Sequence, residues 1–493
     1  MQHSYALLAS RLKAAIRASE YPVGERLPSV RALAVTHGVS VSTATRCYRQ
    51  LEREGYAQAR YKSGMYVADW KALHPARRST PAAAAAAPAP TRLEFDQLAS
   101  LQHRMTQLYA LTAQPLPLAL HLASAAPQWY PCDALARIAQ RQLRQDPLAL
   151  GAYPSGTGLP AFKAELIAHL ATCGIDAEPE DVLITNGATE AMQIALRSVA
   201  KPGDTIAVES PVYFGLLQTI ENLGLRALEV PCVPGQGMSL EALEYALEHH
   251  GGVRAVVAMP SFQNPLGDCM PEAAKQRLLK IVRRHDLTLI EDDVFGDLGH
   301  KTDRPPAVKA WDRDGRVIYC GSCSKSIAPA FRLGWVLGGQ RHRQLESLKI
   351  SSSLAAPLLE QQVLADYMKS GKLPAHLRKL RARLASVVPL ARDCVRQHFP
   401  AGTRVRGPDG GWWLWLELPD QTDTLTLLRT AVQHGIAYTP GTLFSASGKF
   451  GHCLRLNIAR PWSTAMADGL RALGAAAANT QKSRPARAIP AFS

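Results

Sequence analysis

The stretch YCGSCSKSIAPAFRLGW, residues 319–335, decides the fold of the larger part of this chain. An apolar segment at residues 316–319 leads into a serine-rich turn that holds one lysine, Lys325, and Arg332 follows seven residues later. A lysine amine condenses with an aldehyde, while the hydroxyl of Ser322 and the guanidinium of Arg332 can bind a phosphate dianion. Together these groups predict a site for pyridoxal 5'-phosphate (PLP), with Lys325 as its catalytic residue.

Around this stretch, apolar segments alternate with amphipathic helical segments from about residue 91 onward. The pattern predicts short buried strands and intervening helices, which is typical of an α/β body around a mostly parallel sheet. No Gly-x-Gly-x-x-Gly stands at the first strand–helix turn, which disfavours a dinucleotide fold. Residues 374–474 mix helices with strands and predict a smaller α+β lobe. The strands are expected at residues 182–185, 205–208, 254–259, 287–291, 316–320 and 334–338, and in the lobe at 411–418 and 453–458.

The first seventy residues follow a different pattern, with three short helices and a hairpin. A helix at residues 5–19 has an apolar face, and a turn rich in Pro and Gly separates it from a second helix at 30–36. Ser40 or Ser42 can cap a third helix that reaches to about Glu54. A hairpin follows, with its tip at residues 62–64. This order predicts an α+β winged helix-turn-helix unit, whose third helix enters the major groove of double-stranded DNA.

The distribution of charge agrees with a DNA partner. The chain has a net charge of +15, and residues 1–92 contain fourteen Lys and Arg against five Asp and Glu. More than half of the excess positive charge therefore lies in less than a fifth of the chain, which favours a polyanion as partner. Because a basic surface can also be inert, charge alone leaves this point open.

The stretch GERLPSVRALAVTHGVSVSTATRCYRQLEREGY, residues 24–56, resembles the GntR family of winged-helix regulators over nearly the whole head. It contains the pattern Leu-Pro-Ser-x-Arg-x-Leu-Ala and ends with Leu-x-x-Glu-Gly-Tyr. For Thr43 and Thr45, packing or capping within the head is the alternative to a DNA contact. The resemblance implies that DNA is contacted by Arg31, Ser42, Thr43, Thr45, Arg46, Arg49, Lys62 and Gly64.

Residues 118–475 resemble the class I/II aminotransferases of PLP fold type I, and the whole chain resembles the MocR subfamily of GntR regulators. The motifs are the lysine stretch, TNGATE at 185–190, SPVY at 210–213, SFQNPLG at 261–267 and LRLNI at 454–458. The resemblance implies a domain that senses PLP, alone or with an amine or amino acid, in a head-to-tail homodimer. It implies that Lys325 forms the imine, that Tyr213 stacks on the ring, that Asn264 bonds the 3'-oxygen and that Asp292 meets the ring nitrogen. It also implies that Arg455 binds a substrate carboxylate and that Tyr153 reaches the phosphate of the other subunit. The residues implied to hold the phosphate are Gly187, Ala188, Thr189, Ser322 and Arg332.

Two neighbours compete for these roles, and one position departs from the family pattern. Asp293 stands beside Asp292, and Arg460 stands close to Arg455, so spacing leaves both alternatives open. Where the family usually has a tyrosine three residues after the aspartate, this chain has Phe295. The loss of that hydroxyl puts transamination in doubt, whereas the groups for the phosphate, the imine and the ring nitrogen are all present.

The order of these features predicts four segments. They are a DNA-binding head at residues 1–69, a Pro/Ala-rich linker at 70–92, a PLP-binding domain at 93–478 and a disordered tail at 479–493. No apolar run is long enough to span a membrane, and the N-terminus lacks the features of a signal peptide. Nine cysteines without a repeating framework fit a reduced, cytoplasmic compartment. The single Cys-x-x-Cys at 320–323 has no second pair, so no metal site is expected.

These features leave two functions to weigh. The first is a transcription regulator that reads DNA with its head and binds PLP as effector with its body. The alternative is an active aminotransferase with an attached head, because Lys325 could serve as both imine partner and proton shuttle. Phe295 and the DNA-reading head favour the regulator. A body that serves only as a dimerisation scaffold is disfavoured by the intact lysine set.

Overall fold

The computed structural model describes residues 4–17, 20–60, 63–69, 101–300, 304–419 and 422–482. The chain forms two compact units, Met1–Arg92 and Leu93–Ser493. Lys62, the predicted linker at 70–92 and the part of the tail beyond residue 482 lie outside the described residues. None of the helices in the described ranges has the length and apolar character needed to cross a membrane.

The head consists of three helices followed by a hairpin. Its elements are α1 (Ser4–Arg17), α2 (Val30–Thr36), α3 (Val41–Arg53), β1 (Ala57–Arg60) and β2 (Gly64–Val67). The two strands pair antiparallel, with Ala57 opposite Val67. Ser29 caps α2 and Ser40 caps α3, because each serine oxygen accepts a hydrogen bond from a backbone N–H in the first turn. The predicted winged helix-turn-helix is therefore confirmed.

The body is built on a large mixed sheet. The strands of the body up to residue 337 are β3 (Leu118–Ala119), β4 (Val182–Thr185), β5 (Thr205–Ser210), β6 (Arg226–Val233), β7 (Gly237–Met238), β8 (Val253–Ala258), β9 (Thr288–Asp292), β10 (Val317–Ser322) and β11 (Gly334–Leu337), and all of them except β3 belong to this sheet. The eight strands of the sheet have the order β4-β11-β10-β9-β8-β5-β6-β7. Strands β10, β9, β8, β5 and β6 pair parallel, whereas β11 is antiparallel to both of its neighbours and β7 is antiparallel to β6.

Helices cover both faces of this sheet. They are α4 (Leu101–Leu111), α5 (Cys132–Gln145), α6 (Pro160–Leu170), α7 (Gly187–Val199), α8 (Phe214–Asn222), α9 (Leu240–His249), α10 (Glu272–Arg284), α11 (His342–Ser353) and α12 (Leu358–Lys369). Successive strand residues point to opposite faces, so Val208 shares a core with α7 whereas Ala207 shares one with α10. Central strands that are buried on both faces read as continuous apolar runs, which explains why the α/β prediction was correct.

The predicted smaller α+β lobe is also confirmed. It contains α13 (Leu373–His398), β12 (Arg404–Arg406), β13 (Trp413–Glu417), α14 (Thr424–Gln433), β14 (Ile436–Ala437), β15 (Thr439–Pro440), β16 (Cys453–Asn457) and α15 (Thr464–Lys482). Four of its strands form an antiparallel sheet with the order β12-β13-β16-β15. Helix α15 continues to Lys482, so the first four residues of the predicted tail are helical.

The sheet brings the predicted motifs to one edge. Strands β5, β8, β9 and β10 are parallel neighbours, and their carboxyl ends are Ser210, Ala258, Asp292 and Ser322. Ligands of open α/β sheets bind outside the carboxyl ends of such strands. The turns that follow these four strands are the ones that carry the candidate site residues.

Candidate functional site

A cavity of about 110 Å³ lies at the edge where the parallel strands end. Its wall is formed by the turns after these strands and by the first turn of α7. Eight of the predicted cofactor-binding residues line it, namely Ala188, Thr189, Tyr213, Asn264, Asp292, Ser322, Lys325 and Arg332. Residues that are up to 144 positions apart in the chain therefore meet at one place.

Lys325 follows β10 and reaches into this cavity. Its Nζ donates a hydrogen bond to the backbone oxygen of Ala123 at 2.8 Å. Burial, and then the charge of Arg455, lower the pKa of the Lys325 amine to about 8, while Asp292 acts in the opposite direction. A larger fraction of this amine is therefore uncharged near neutral pH than for a lysine in water, and the uncharged amine is the nucleophile.

The adjacent carboxylates of Asp292 and Asp293 have different surroundings. Asp292 ends β9 and lines the cavity. The Oδ2 atom of Asp293 lies 2.8 Å from Arg304 Nη2 and accepts a hydrogen bond from the Tyr319 hydroxyl at 2.7 Å. Burial raises the pKa of Asp292 to about 7, and a cation placed against it would lower that pKa again. Of the two, only Asp292 is placed to meet a ligand in the cavity.

The serine-rich turn and the start of α7 form a polar end of the cavity. Arg332 Nη1 donates to Ser324 Oγ at 3.1 Å, and Ser324 lines the cavity beside Ser322. Gly187 has a φ of +80°, and a Cβ at this position would lie 2.6 Å from Arg332 Nη2. Any side chain at position 187 would therefore displace the guanidinium from the helix N-terminus. Two hydroxyls, a guanidinium and helix N–H groups together make an anion site.

Several residues of this wall were missed in the sequence, and two of them, Ser324 and Gly215, bear on its chemistry and shape. Ser324 directly precedes Lys325, and its spacing from Ser322 was a signal that could have identified it. Gly215 lines the cavity beside Tyr213, and a Cβ at position 215 would lie 2.5 Å from the Tyr213 ring. The absence of a side chain at this position therefore makes room for the aromatic ring.

Arg455 lies beside the cavity and is connected to it by Asn264. Its Nη1 donates to Asn264 Oδ1 at 2.9 Å, and its Nη2 donates to Thr439 Oγ1 at 3.1 Å. The guanidinium carbon lies 3.8 Å from the ring centroid of Trp413 and 5.0 Å from that of Phe444. Burial lowers the pKa of Arg455 to about 9. None of these partners is a carboxylate, so the buried guanidinium of Arg455 can pair with an anionic ligand.

Phe295 gives the cavity an apolar wall. Its ring packs edge-on against Trp412 at 5.2 Å and Trp413 at 5.7 Å between centroids. Lys325 Nζ lies 5.9 Å from the centroid of the Phe295 ring. Asn264 contributes a polar side chain to the wall of the same cavity.

Tyr153 and Arg460 lie apart from the cavity wall. Tyr153 is 88% exposed and lines a separate groove of about 450 Å³ together with Leu150 and Asn186. Arg460 Nη2 donates to the backbone oxygen of Ala119 at 2.9 Å. Within a single chain, Tyr153 therefore has no contact with the cavity, and any part that it plays there depends on a second subunit.

On the head, some of the predicted DNA-binding residues are exposed and some are hydrogen bonded within the head. Of the predicted residues on α2 and α3, Arg31, Ser42, Arg46 and Arg49 are exposed, and the Ser42 hydroxyl also lies 2.9 Å from Ser40 Oγ. The Thr45 hydroxyl donates to a carbonyl of its own helix at 2.8 Å, and the Thr43 hydroxyl lies 2.8 Å from Ser40 Oγ. Gly64, on the wing, is exposed and has a φ of +114°. The predicted contact at Lys62 lies outside the described residues.

Comparison with known proteins assigns a family to each unit. Residues 4–67 match the family described as "Bacterial regulatory proteins, gntR family", and residues 122–473 match "Aminotransferase class I and II". The body is similar to the crystal structure of LysN, the α-aminoadipate aminotransferase from Thermus thermophilus, complexed with N-(5'-phosphopyridoxyl)-L-leucine. The TM-score is 0.71 and the identity is 28%, with 78% of this chain and 96% of that chain covered.

Two curated relatives are similar over the head and the body together. The "Uncharacterized HTH-type transcriptional regulator YjiR" of Escherichia coli (strain K12) is 34% identical over 96% of this chain and 98% of that protein. The "Probable rhizopine catabolism regulatory protein MocR" of Rhizobium meliloti is 29% identical over 88% of this chain and 85% of that protein. The chain therefore belongs to the MocR type of GntR transcription regulators, which join a winged-helix DNA-binding head to an aminotransferase body of PLP fold type I.

Proposed function

We propose that this regulator binds PLP in the cavity around Lys325 and uses the site to sense an amine or amino acid. The ligand would change the affinity of the head for an operator in double-stranded DNA. The observation that supports this proposal is the convergence of Lys325, Asp292 and Arg332 on one cavity, in a chain that also carries a DNA-binding head.

The charges of the cavity wall fit the charges of PLP. The phosphate dianion would lie at the polar end formed by Ser322, Ser324, Arg332 and the start of α7. The ring nitrogen would face Asp292, whose pKa is raised because burial outweighs the opposing charge of Lys325. Two further contacts would complete the fit, since Tyr213 can cover one face of the ring and the Asn264 amide can donate to the 3'-oxygen.

The side chains around this cavity have separate chemical tasks. Bound PLP supplies an aldehyde that condenses with primary amines and a ring that withdraws electrons. Lys325 provides an amine with a lowered pKa, which makes it reactive near neutral pH. Asp292 would hold a proton at the ring nitrogen, and Arg332 would fix the phosphate in one orientation. Phe295 presents hydrocarbon at the place where the usual tyrosine hydroxyl would act.

Arg455 supports a carboxylate-bearing amine as the sensed ligand. A guanidinium pairs with a carboxylate through two parallel hydrogen bonds, and the buried guanidinium of Arg455 has no such partner within the described residues. The residues directly after Tyr213 are Phe214 and Gly215, which provide no second cation. We therefore favour an amino acid with a single carboxylate over a dicarboxylate.

The exposed segment around Tyr153 supports completion of the site by a second copy of the chain. Leu148 is 83% exposed, Leu150 is 70% exposed and Tyr153 is 88% exposed. Large apolar side chains that are exposed together mark an interaction surface. Tyr153 and Leu150 share their groove with Asn186, which directly precedes α7 and the polar end of the cavity. A head-to-tail homodimer would place the Tyr153 hydroxyl of one subunit near the phosphate of the other.

The DNA-binding part of the proposal can be tested at Arg46. We expect Arg46→Ala to weaken binding to a duplex that the wild-type protein selects from a random pool, by about 1–3 kcal/mol if the guanidinium contacts a base edge. Gel shifts at several salt concentrations would measure the affinity. Arg53→Ala, a change at the last residue of α3, is the matched control. Unchanged affinity of the Arg46 variant would show that α3 does not read DNA through this face.

The link between body and head can be tested with PLP itself. We expect PLP, or PLP with an amino acid, to change the affinity of the wild-type protein for the selected duplex but not that of Lys325→Ala. The reason is that only the wild-type protein has the Lys325 amine, which would hold the aldehyde of bound PLP and could be displaced from it by another amine. Equal responses in the two proteins, or no response in wild type, would make an aminotransferase with an uncoupled head the leading alternative.

A further inference from the structure

A buried arginine holds the first described helix of the body against a loop of the small lobe, residues 442–449. Residues 70–100 connect the head to α4, and Arg104 of α4 is only 4% exposed. Its Nη1 donates to the Thr442 backbone oxygen at 2.6 Å, and its Nη2 donates to those of Ser445 and Ala446 at 3.4 Å. Burial lowers the pKa of Arg104, and these three hydrogen bonds go to carbonyl groups of one loop. A buried cation whose side chain donates to three backbone carbonyls indicates a specific positional task, since packing alone would favour an apolar side chain.

The same loop forms part of the surroundings of Arg455. The ring centroid of Phe444 lies 5.0 Å from the Arg455 guanidinium carbon and 5.7 Å from the centroid of Phe214. The Phe444 backbone oxygen accepts a hydrogen bond from Val212 N at 3.0 Å. Val212 directly precedes Tyr213, the side chain that lines the cofactor cavity. One loop therefore contacts the candidate carboxylate-binding residue, the segment that carries Tyr213, and α4.

A second set of contacts fixes the far end of this loop to the large sheet. Glu229 of β6 accepts hydrogen bonds from Ala446 N at 3.1 Å and from Ser447 Oγ at 2.7 Å. Its Oε2 also lies 3.4 Å from Lys449 Nζ. Because the backbone of this loop is hydrogen bonded at several positions, displacement of one residue is expected to shift the loop as a unit. The hydrogen bonds prevent its residues from rearranging one by one.

We propose that Arg104 is the positioning residue that transmits occupancy of Arg455 to the segment leading to the DNA-binding head. This inference rests on the proposed function. An anionic ligand at Arg455 competes with the aromatic rings for the guanidinium, so the position of Phe444 differs between the free and the bound state. The three carbonyl contacts of Arg104 carry that difference to α4. The ligand shifts the DNA-binding equilibrium by its difference in affinity for the two states.

The test measures coupling rather than binding alone. The probe is N-(5'-phosphopyridoxyl)-L-leucine, a stable conjugate that carries a phosphate, a pyridine ring and a carboxylate. We expect the conjugate, compared with PLP, to change the wild-type dissociation constant for the selected duplex by about fivefold or more, and that of Arg104→Gln by less than about twofold. The affinity of this variant for DNA without ligand, and its affinity for the conjugate, should remain close to wild type.

Two further variants separate coupling from simple loss of structure. Arg104→Lys keeps one donor that can reach the Thr442 oxygen, so it should restore part of the response. Arg341→Gln is the matched control, because Arg341 also donates to a backbone oxygen, that of Ser198 at 2.7 Å, and lies outside this loop. This control should keep the wild-type response.

Hydrogen exchange provides a second readout that does not depend on DNA. We expect the conjugate to slow amide exchange in residues 101–111 of the wild-type protein but not of Arg104→Gln. A wild-type response in Arg104→Gln would overturn the inference while leaving the proposed function intact. If the conjugate changes neither the DNA affinity nor the hydrogen exchange of the wild-type protein, the inference and the proposed function are both overturned. If Arg104→Gln does not fold, the inference is tested with Arg104→Lys. It is contradicted if the conjugate changes the DNA affinity of Arg104→Lys as much as that of wild type and slows the same amides to the same extent.

Discussion

Wild-type protein purified with PLP is expected to absorb visible light and to keep the cofactor after borohydride treatment, whereas Lys325→Ala is expected to do neither. The Lys325 amine reaches the cavity and has a pKa lowered to about 8 by burial and Arg455, so it can form a carbon–nitrogen double bond with the aldehyde. Borohydride converts that double bond into a permanent link. Absorbance and the mass of the peptide that contains Lys325 measure the two outcomes.

The control for this experiment is a lysine with the same chemistry but no access to the cavity. Lys369 is exposed at the end of α12, and Lys369→Ala should remain coloured and should still be modified at Lys325. Colourless wild-type protein without a fixed adduct would contradict the proposed PLP site. An adduct at another lysine in place of Lys325 would show that Lys325 is not the amine that bonds to the aldehyde.

Asp292→Asn is expected to lower the affinity for PLP by roughly 10²–10⁴-fold, because removal of one partner from a buried charge pair costs about 3–5 kcal/mol. Asp292 lines the cavity, and it is the carboxylate that would pair with the protonated ring nitrogen. An amide cannot supply that negative charge. Titration of the purified variant with PLP, followed by fluorescence or absorbance, measures the dissociation constant.

Asp293→Asn is the matched comparison, since it makes the same change one residue away. Asp293 forms a buried ion pair with Arg304 at 2.8 Å and accepts from the Tyr319 hydroxyl, so its substitution should mainly lower the free energy of unfolding. Urea denaturation would detect that loss, while the affinity for PLP should change much less than in the Asp292 variant. If Asp293→Asn instead has the larger effect on PLP affinity, the assignment of the two carboxylates is reversed.

The sequence by itself determined the two fold classes and the position of most candidate site residues. A winged-helix head is readable because its caps, turns and apolar faces are local features, and the third helix runs from Val41 to Arg53, close to the predicted span. The body is readable because buried strands leave long apolar runs. Polar residues in the turns that follow such strands, such as Lys325 and Asn264, are predictable site residues because parallel strands end at one edge.

Tertiary structure decided between neighbours that are chemically alike. Ser40 rather than Ser42 caps α3, because its backbone has the extended conformation that a cap requires. Asp292 rather than Asp293 faces the cavity, because Arg304 and Tyr319 hold the second carboxylate elsewhere. Spacing along the chain cannot settle such choices, since adjacent residues differ only in the direction of their side chains.

Only the tertiary structure showed how distant segments depend on each other. The absence of a side chain at Gly187 leaves room for the Arg332 guanidinium, and Arg104 donates to carbonyl groups more than 330 residues later in the chain. Backbone carbonyls are present at every position, so no sequence pattern marks the ones that a buried guanidinium will reach. The identity of a side chain determines which contacts it can make, and the folded chain determines which partners are within reach.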